Sequence, residues 1–270
     1  MKTKPDLFKS EYAVCVLDQN GVSVFEENAH IPMEAASTVK CAIVYRTLEI
    51  LKNEHNTNLE LQFTRHLRHR SYGSGVVNWT LWRKFSAADL IYLCLNFSDC
   101  VATNILLEFI GGQKSLNEWL HNTGYVHTQL HTKKIYTNRK HQFRKLCTST
   151  AYEMSGIAYQ LMGTKWSFQA DKLLEQSLSN QHIGWIKPYF KRHTANVYFK
   201  TGSIIQDDTL LPFVYDAAGR YSGPKTTQYF CLLSRFTPTN AKIDVALLQA
   251  AQKSAFQMLE HGLPSKKSSL

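Results

Sequence analysis

The stretch AASTVKCAIVYRTLEIL, Ala35 to Leu51, places a serine three residues before a lysine at the head of an apolar run with helical periodicity. Residues three apart share one face of a helix, so Ser37 Oγ and the Lys40 amine are expected to be neighbours. A serine hydroxyl needs an adjacent base to act as a nucleophile, and a lysine provides one when burial or other cations lower its pKa. A serine at the start of a helix is also a common N-cap, so both interpretations of Ser37 stay open here.

The composition is that of a globular protein with one large domain or two lobes that share a core. The chain has 270 residues, of which 44% are apolar and 19% are charged. The formal net charge is +10, but the basic residues are scattered, with short clusters only at RHLRHR (65–70) and NRKHQFRK (138–145). Without zinc-finger spacing or an RNA-binding signature these clusters indicate a solvated basic face, and we expect no nucleic-acid partner.

The cysteines and the N-terminal segment bear on the compartment. The first residues lack the apolar core of a secretory signal, and no run of about 18 apolar residues predicts a membrane span, so no membrane partner is expected. Six cysteines, mostly in apolar segments and without CxxC pairs, stand at positions 15, 41, 94, 100, 147 and 231. They are typical of buried free thiols in a reducing compartment, and we expect a cytoplasmic protein.

The order of the predicted elements favours one antiparallel sheet built from both ends of the chain. At the start, YAVCVLD and VSVFEEN flank Gln19-Asn20-Gly21, a strong hairpin turn. Helical patterns follow, one of which begins at Ser86 with Asp89 as its capping-box partner. The last part contains three strand patterns, NVYFKTGS, LLPFVYDAAG and TTQYFCLLSRF, and an amphipathic helix, DVALLQAAQKSAFQMLEHG. Strands at both ends bracket a helical insert, which predicts the α/β class.

Two further short motifs stand at the edges of these elements. Ser98-Asp99 lies between two helical patterns, where such a pair is usually an N-cap. Lys200-Thr201-Gly202-Ser203 follows the strand pattern NVYF, and a lysine and hydroxyls beside a glycine suit a substrate carboxylate. Each motif alone is common in proteins. In this order, however, S-x-x-K, S-D and K-T-G approach a known signature set of serine acyl enzymes.

The chain resembles class A β-lactamases and penicillin-binding serine enzymes over most of residues 11–260. SDCVATNILLEFIGGQKSLNEWLHNTG is similar to the family segment that begins at its SDN motif, and LCTSTAYEMSGIAYQL is similar to its T-T-P-x-x-M helix. The resemblance implies a single β-lactamase/transpeptidase-like unit over 1–270, an antiparallel sheet flanked by terminal helices plus an all-helical lobe. The α/β lobe would comprise 1–33 with 193–270, and the helical lobe 34–192.

The resemblance also implies a role for each motif residue. Ser37 would be the acylated nucleophile, Lys40 its proton partner, and Ser98 the relay of a proton to the leaving group. Lys200 and Thr201 would hold a substrate carboxylate, and the backbone N–H groups of Ser37 and Ser203 would form an oxyanion hole. No metal or other cofactor is implied.

Two departures from the family pattern concern substrate contact and deacylation. Cys100 replaces the SDN asparagine that contacts the substrate amide, and a thiol is a weak hydrogen-bonding group. The family's W-E-x-x-L-N loop falls on KKIYTN, which keeps the asparagine as Asn138 but puts Lys134 at the position of the deacylating glutamate. The stretch HTKKIYTNRKHQFRK contains no acid, and the closest one is Glu153 in a later helix.

Without that glutamate an acyl-Ser37 ester is expected to hydrolyse slowly, because a general base is worth ~10²–10⁴-fold in rate. We therefore expect an acyltransferase or peptidase-type serine enzyme that acts on a small molecule or peptide with a carboxylate. An amine or alcohol acceptor would resolve the ester, and β-lactams would turn over poorly. The alternatives are a true β-lactamase or D-Ala peptidase with a different deacylation route, or a catalytically weak ligand-binding protein. Arg220 and Arg235 are further candidates for carboxylate binding, and the sequence selects neither.

Overall fold

The computed structural model describes residues 10–54, 57–135, 146–179, 196–204, 213–222 and 226–236. The strands are β1 (Ser10–Leu17), β2 (Ser23–Glu27), β3 (Met33–Glu34), β4 (Gln62–Thr64), β5 (Lys84–Ser86), β6 (Gln129–Leu130), β7 (Cys147–Ser149), β8 (Asn196–Ile204), β9 (Phe213–Ser222) and β10 (Thr227–Phe236). The helices are α1 (Lys40–Glu54), α2 (Ala87–Asn96), α3 (Cys100–Phe109), α4 (Gly112–Asn122), α5 (Ala151–Gly163) and α6 (Phe168–Ser179).

A five-stranded antiparallel sheet joins the two ends of the described chain, in the strand order β2-β1-β10-β9-β8. The predicted hairpin forms because the Asp18 carboxylate accepts the amides of Asn20 and Val22, and Gly21 takes the positive φ of 78° that the turn requires. The sheet therefore has the antiparallel arrangement that the pattern of strands at both ends of the sequence predicts.

The two faces of this sheet are both buried. Along β1, Ala13, Cys15 and Leu17 belong to the main core with the helices, whereas Val14 and Val16 pack on the other face. This alternation follows from the two-residue period of a strand. Helix α5 packs across β1, β9 and β10, and it also contacts α1. The predicted C-terminal helix and the end of the chain lie outside the described residues.

The starts of the helices follow local capping chemistry. Ser86 Oγ accepts the amide of Asp89 at 3.1 Å, and the Asp89 carboxylate accepts the Ser86 amide at 2.8 Å, so the predicted capping box is confirmed. Thr150 caps α5 in the same manner through the Glu153 amide. These bonds satisfy amides that have no partner within the helix.

The capping interpretation of Ser37 is wrong. Ser37 lies inside a 3₁₀ turn, Ala36–Val39, that precedes α1, and the turn has no side-chain cap. The Lys40 amide bonds to the carbonyls of Ser37 and Thr38, so the turn runs directly into α1. The Ser37 hydroxyl is thus not used to begin the helix.

The predicted arrangement of an antiparallel sheet with helices is confirmed. The two-lobe division stays a prediction, and its boundary at 192/193 lies outside the described residues. Within the described ranges, no helix has the length and apolar character needed to cross a membrane.

Candidate active site

The 3₁₀ turn that carries Ser37 lies against strand β8 at Gly202. A methyl group on Gly202 would lie 3.0 Å from Ala36 Cβ and 3.0 Å from Ser37 N, which is closer than ordinary packing allows. Glycine is therefore required where the turn meets the strand. Ala36 itself has a φ of 42°, a left-handed conformation that is unfavourable for a residue with a side chain. Ser37 is nearly buried, and its hydroxyl has no hydrogen-bond partner within the described ranges.

Glu34 holds this turn in place by accepting hydrogen bonds from backbone amides. Its Oε1 accepts the amides of Ala36 at 3.1 Å and Cys147 at 2.9 Å, and its Oε2 accepts the Leu146 amide at 3.1 Å. The Ala35 amide also donates to the Cys147 carbonyl at 2.9 Å. One carboxylate thus ties the residues just before Ser37 to strand β7. The sequence analysis missed Glu34, because two of its three partners, the amides of Leu146 and Cys147, are more than one hundred residues away.

Lys40 is fully buried and points at Ser98. Its ammonium donates to Ser98 O at 2.5 Å and to Ser98 Oγ at 2.8 Å, and it lies 3.7 Å from Cys100 Sγ. Ser74 Oγ donates to the same Ser98 carbonyl at 2.7 Å. Ser98 has a φ of 54°, so its backbone is held in an unfavourable conformation that presents both oxygens to the lysine. The structure therefore brings Lys40, Ser98 and Cys100 together.

Asp99 has a structural role beside this cluster. The carboxylate is fully buried and accepts four backbone amides, those of Val101 and Ala102 in the first turn of α3 and those of Val76 and Val77 in the preceding loop. It is the N-cap of α3, as expected for a Ser-Asp pair between helices. A carboxylate with this many donors fixes the first turn of α3 and the loop at 76–77 beside Ser98.

Lys200 is the second fully buried lysine. It extends from β8 and donates to the Thr201 carbonyl at 2.7 Å. Burial and, to a smaller extent, the nearby charge of Lys40 lower the pKa of Lys200 to about 7. The thiols of Cys41, Cys94 and Cys100 act in the opposite sense. The two lysines are therefore close enough for the charge of Lys40 to influence Lys200, which is only partly charged near neutral pH.

The remaining residues of the K-T-G motif lie on β8 next to the Ser37 turn. Thr201 is buried and Ser203 is exposed. Because Gly202 touches the Ser37 amide and Ser203 is the next residue of β8, the two backbone amides predicted to form the oxyanion hole belong to segments in contact. The oxyanion role of Ser37 and Ser203 stays a prediction.

Lys134 does not join the cluster. Its ammonium donates to the Arg68 carbonyl at 3.0 Å, on the outer side of the loop. The next residue, Ile135, is fully buried; its amide donates to Asn104 Oδ1 at 2.7 Å, and Asn104 Nδ2 donates to its carbonyl at 3.2 Å. Asn104 lies one turn after Cys100 on α3.

The expectation that Lys134 takes the position of the family glutamate stays a prediction. In the bend at 133–135, Lys134 is partly exposed and Ile135 is buried. The inward residue is Ile135, which is apolar. Asn138 lies outside the described residues.

Other candidate side chains are engaged elsewhere. Glu153 accepts the His127 amide at 2.9 Å and Thr128 Oγ1 at 2.6 Å, so it organises the segment after α4. Arg220 donates to the Met162 carbonyl at 3.0 Å and to Glu175 at 2.9 Å. Arg220 is thus held against α5 and α6, and Arg235 is exposed on β10.

Asp216 is a buried acid that the sequence analysis also missed. It lies opposite Gly202 in the β8–β9 pairing, and its Oδ1 accepts the Ser234 amide at 3.0 Å. Among the described residues its Oδ2 has no hydrogen-bond partner. Burial raises the pKa of Asp216 well above its usual value, and the charge of Glu34 adds to the effect. The carboxyl therefore keeps its proton to a higher pH than an exposed aspartate does. In the part of the chain that the structure describes, no group of three or more acids, histidines and cysteines suits a metal ion.

Comparisons with known proteins agree on the family. The model of the β-lactamase enzyme family matches residues 6–222, while no curated protein sequence matches the chain. A β-lactamase from Sphaerobacter thermophilus is similar in structure with a TM-score of 0.73, 19% identity and coverage of 95% of this chain and 94% of that one.

Two further solved structures extend this likeness. A representative class A β-lactamase from Bacteroides cellulosilyticus has a TM-score of 0.77 and 19% identity over 93% of this chain and 92% of its own. A variant of PBP-A, in an acyl-enzyme complex with penicillin G, has a TM-score of 0.73 and 19% identity over 93% and 90% of the two chains. The family match spans most of the sequence, and the structural matches share its fold. The chain therefore belongs to the β-lactamase enzyme family.

Proposed function

We propose that the protein forms an acyl-Ser37 intermediate on an amide or ester substrate and passes the acyl group to an amine or alcohol. One observation carries the proposal: two buried lysines and Ser98 meet beside the Ser37 turn, while the inward residue of the 131–135 segment is the apolar Ile135. The two lysines and Ser98 supply the groups needed for acylation. Ile135 has no base that could activate a water molecule.

Acylation follows from the contacts of the cluster. The reaction needs a neutral amine beside Ser37. We assign Lys40, in its neutral form and one turn after Ser37, as the group that accepts the Ser37 proton when Oγ attacks the substrate carbonyl. The Ser37 Oγ–carbon bond forms and the carbon–nitrogen or carbon–oxygen bond of the substrate breaks. Ser98 passes the proton from Lys40 Nζ, 2.8 Å from its hydroxyl, to the leaving group.

The developing negative charge on the carbonyl oxygen needs donors that are already in position. The Ser37 and Ser203 amides are assigned this task because their segments meet at Gly202. Such a pair of donors is worth ~3–4 kcal/mol of transition-state stabilisation. Lys200 and Thr201 are assigned to a substrate carboxylate, and Lys200 serves best below its pKa of about 7, where it is charged.

Transfer to an acceptor is favoured over hydrolysis because the acids near the site are already committed. Glu34 accepts three backbone amides, Glu153 binds residues after α4, and Asp216 is buried behind Gly202. Among the described residues none of these is free to activate a water on the acyl ester. An amine, which is a better nucleophile than water, would resolve the ester without that help.

The six buried free cysteines support a cytoplasmic setting, where thiols stay reduced. The substrate would be a small molecule or a peptide that bears a carboxylate.

A β-lactamase or D-Ala peptidase activity is the second candidate. The PBP-A variant is an acyl enzyme with penicillin G, which shows that this fold accepts a penicillin in that protein. A third candidate, a ligand-binding protein without chemistry, is disfavoured by the buried Lys40–Ser98 contact, which a binding site does not require.

Intact mass spectrometry separates these candidates. With penicillin G or an N-acyl amino-acid ester, we expect one acyl group added to the protein and none added to Ser37→Ala. Absence of any adduct would favour the binding protein. Many rapid turnovers of nitrocefin would instead support a true β-lactamase and overturn the transferase proposal.

A further inference from the structure

Large apolar side chains protrude from the loop between β4 and β5. Trp79 is 86% exposed, Leu81 is 96% exposed and Trp82 is 73% exposed. Leu67, from the neighbouring 3₁₀ turn Leu67–His69, is 81% exposed. Scattered apolar residues on a surface are normal, but three of this size within four residues are not. The loop tip therefore lacks any cover from the described part of the chain.

A basic cavity lies directly beside this tip. Its volume is about 310 Å³, and it is lined by Arg65, His66, Leu67, Arg70, Asn78 and Arg83. The lining contains three arginines and no acid. Arg65 is fixed in place because its guanidinium donates to the carbonyls of Val77 and, at 3.1 Å, Thr80. Arg70 and Arg83 form no ion pair with a described residue, so their charges are available to an anion.

The apolar tip and the basic cavity form one continuous surface. Asn78 precedes Trp79 and Arg83 follows Trp82, so the same short loop supplies both parts. The Arg65 amide donates to the Arg83 carbonyl at 2.7 Å, which holds the two ends of the loop together beside the β4–β5 pair. We name this surface, made of Arg65, Leu67, Arg70, Trp79, Leu81, Trp82 and Arg83, the tryptophan–arginine surface.

The chemistry of this surface suits an anionic lipid membrane better than other partners. Tryptophan is enriched where a protein meets the headgroup level, and leucine beside it adds burial in the acyl region. Arginine binds phosphate groups by paired hydrogen bonds, and basic residues are attracted to anionic leaflets. Single-stranded nucleic acid would use the tryptophans for base stacking, but the most exposed side chain is Leu81, which cannot stack. A net charge of +10 strengthens attraction to an anionic membrane.

We propose that the tryptophan–arginine surface docks on an anionic lipid membrane. Trp79, Leu81 and Trp82 enter the boundary between headgroups and acyl chains, and the arginines of the cavity bind lipid phosphates. The expectation of no membrane partner rests on the absence of a spanning segment, which does not bear on docking from one side. The loop continues from Ser74, which contacts the Ser98 carbonyl, so docking brings the active site close to the membrane surface.

Vesicle flotation of the whole protein tests this proposal. We expect strong binding to phosphatidylcholine vesicles that contain phosphatidylglycerol, and weak binding to phosphatidylcholine alone or at high salt. Arg70→Gln and Arg83→Gln should each weaken binding about fivefold, the equivalent of ~1 kcal/mol per basic residue at an anionic surface. A Trp79→Ser/Trp82→Ser variant should weaken binding at least about tenfold and abolish the blue shift of tryptophan fluorescence on vesicle addition.

Matched controls change equally exposed residues elsewhere. Phe168→Ser on α6 and Lys114→Gln on α4 should bind vesicles as the unchanged protein does, because both side chains are exposed and distant in sequence from the loop. Ser37→Ala should also bind normally, so failure of the proposed enzymatic function would leave this result intact. Thermal unfolding of each variant verifies folding.

Four outcomes would overturn the proposal. The first two are binding without preference for anionic vesicles and an equal loss of binding in the control variants. The third is saturable binding of inorganic phosphate or of a single-stranded oligonucleotide without vesicle binding. The fourth is a dimer that the tryptophan variant converts to a monomer. The last would identify the surface as a contact between two copies of the chain.

Discussion

Lys200 illustrates how the active site is built at the expense of stability. The chain holds a fully buried ammonium near a second lysine, and burial brings the pKa of Lys200 down to about 7. The unfolded chain keeps this proton up to its ordinary pKa of 10.5. Between these values the unfolded state binds more protons than the folded state, so stability rises with pH in that window.

Replacing Lys200 by methionine should therefore stabilise the fold. We expect the free energy of unfolding of Lys200→Met at pH 7 to exceed that of the unchanged protein by roughly 3 kcal/mol, because a similar apolar chain replaces a buried charge. The rise in stability between pH 7 and pH 10.5 should disappear with the lysine. Urea unfolding across this pH range measures both effects. A variant less stable at neutral pH would show that the ammonium is well solvated or paired.

Asp216 should have the opposite effect, in that its contribution to the free energy of unfolding falls as the pH rises. Because burial raises the pKa of Asp216, the folded state keeps a proton that the unfolded chain loses near its ordinary pKa of 3.8. Stability contributed by this group therefore falls as the pH rises above that value. In Asp216→Asn this part of the pH dependence should vanish, while the bond from the Ser234 amide is retained. Chemical unfolding at several pH values measures this dependence. If the free energy of unfolding of Asp216→Asn changes with pH as in the unchanged protein, the assignment of a neutral buried acid is contradicted.

At the level of elements, the features that the sequence predicts well are those with local causes. The hairpin at Gly21 and the capping box of Ser86 and Asp89 involve partners within a few residues, so pattern and capping rules identify them. The Ser37–Lys40 spacing is also local, but the hydrogen bond that Lys40 forms is to Ser98, 58 residues away, and not to Ser37.

The features that the sequence does not predict depend on distant partners. Glu34 binds amides of Leu146 and Cys147, and Asp216 meets Ser234 across two strands, so no local pattern marks either acid. Lys134 illustrates a different difficulty, because the direction of each side chain in this bend depends on how Asn104 holds the Ile135 backbone.

The inward position of Ile135 leads to a prediction about the release of the acyl group. Ile135→Glu should speed hydrolysis of acyl-Ser37 at least about tenfold, since a positioned general base is worth ~10²–10⁴-fold. Ile135→Gln, which has similar size but no base, and Lys134→Glu, which faces outward, should release the adduct no faster than the unchanged protein. Time-resolved intact mass measures the loss of the adduct. Faster release of the acyl group in Lys134→Glu than in Ile135→Glu would show that position 134, and not 135, corresponds to the family glutamate.

The whole molecule combines a sheet made from both ends of the chain with a helical part that supplies Ser37, Lys40 and Ser98. Strand β8 meets the turn of Ser37 at Gly202, so Lys200 on the sheet and Lys40 on α1 come together only when both parts are assembled. The tryptophan–arginine surface belongs to the loop between β4 and β5, whose Ser74 contacts the Ser98 carbonyl. Catalysis and membrane docking would thus share one segment of the chain.

The fate of acyl-Ser37 tests the central claim most directly. The protein is acylated with an N-acyl amino-acid ester, freed of excess reagent, and followed by intact mass in buffer with and without an added amino-acid amide as acceptor. We predict an adduct on Ser37, absent from Ser37→Ala, that persists in buffer and disappears faster with the amine, which is recovered in acylated form. An adduct lost equally fast in buffer alone, or no adduct at all, would contradict the account.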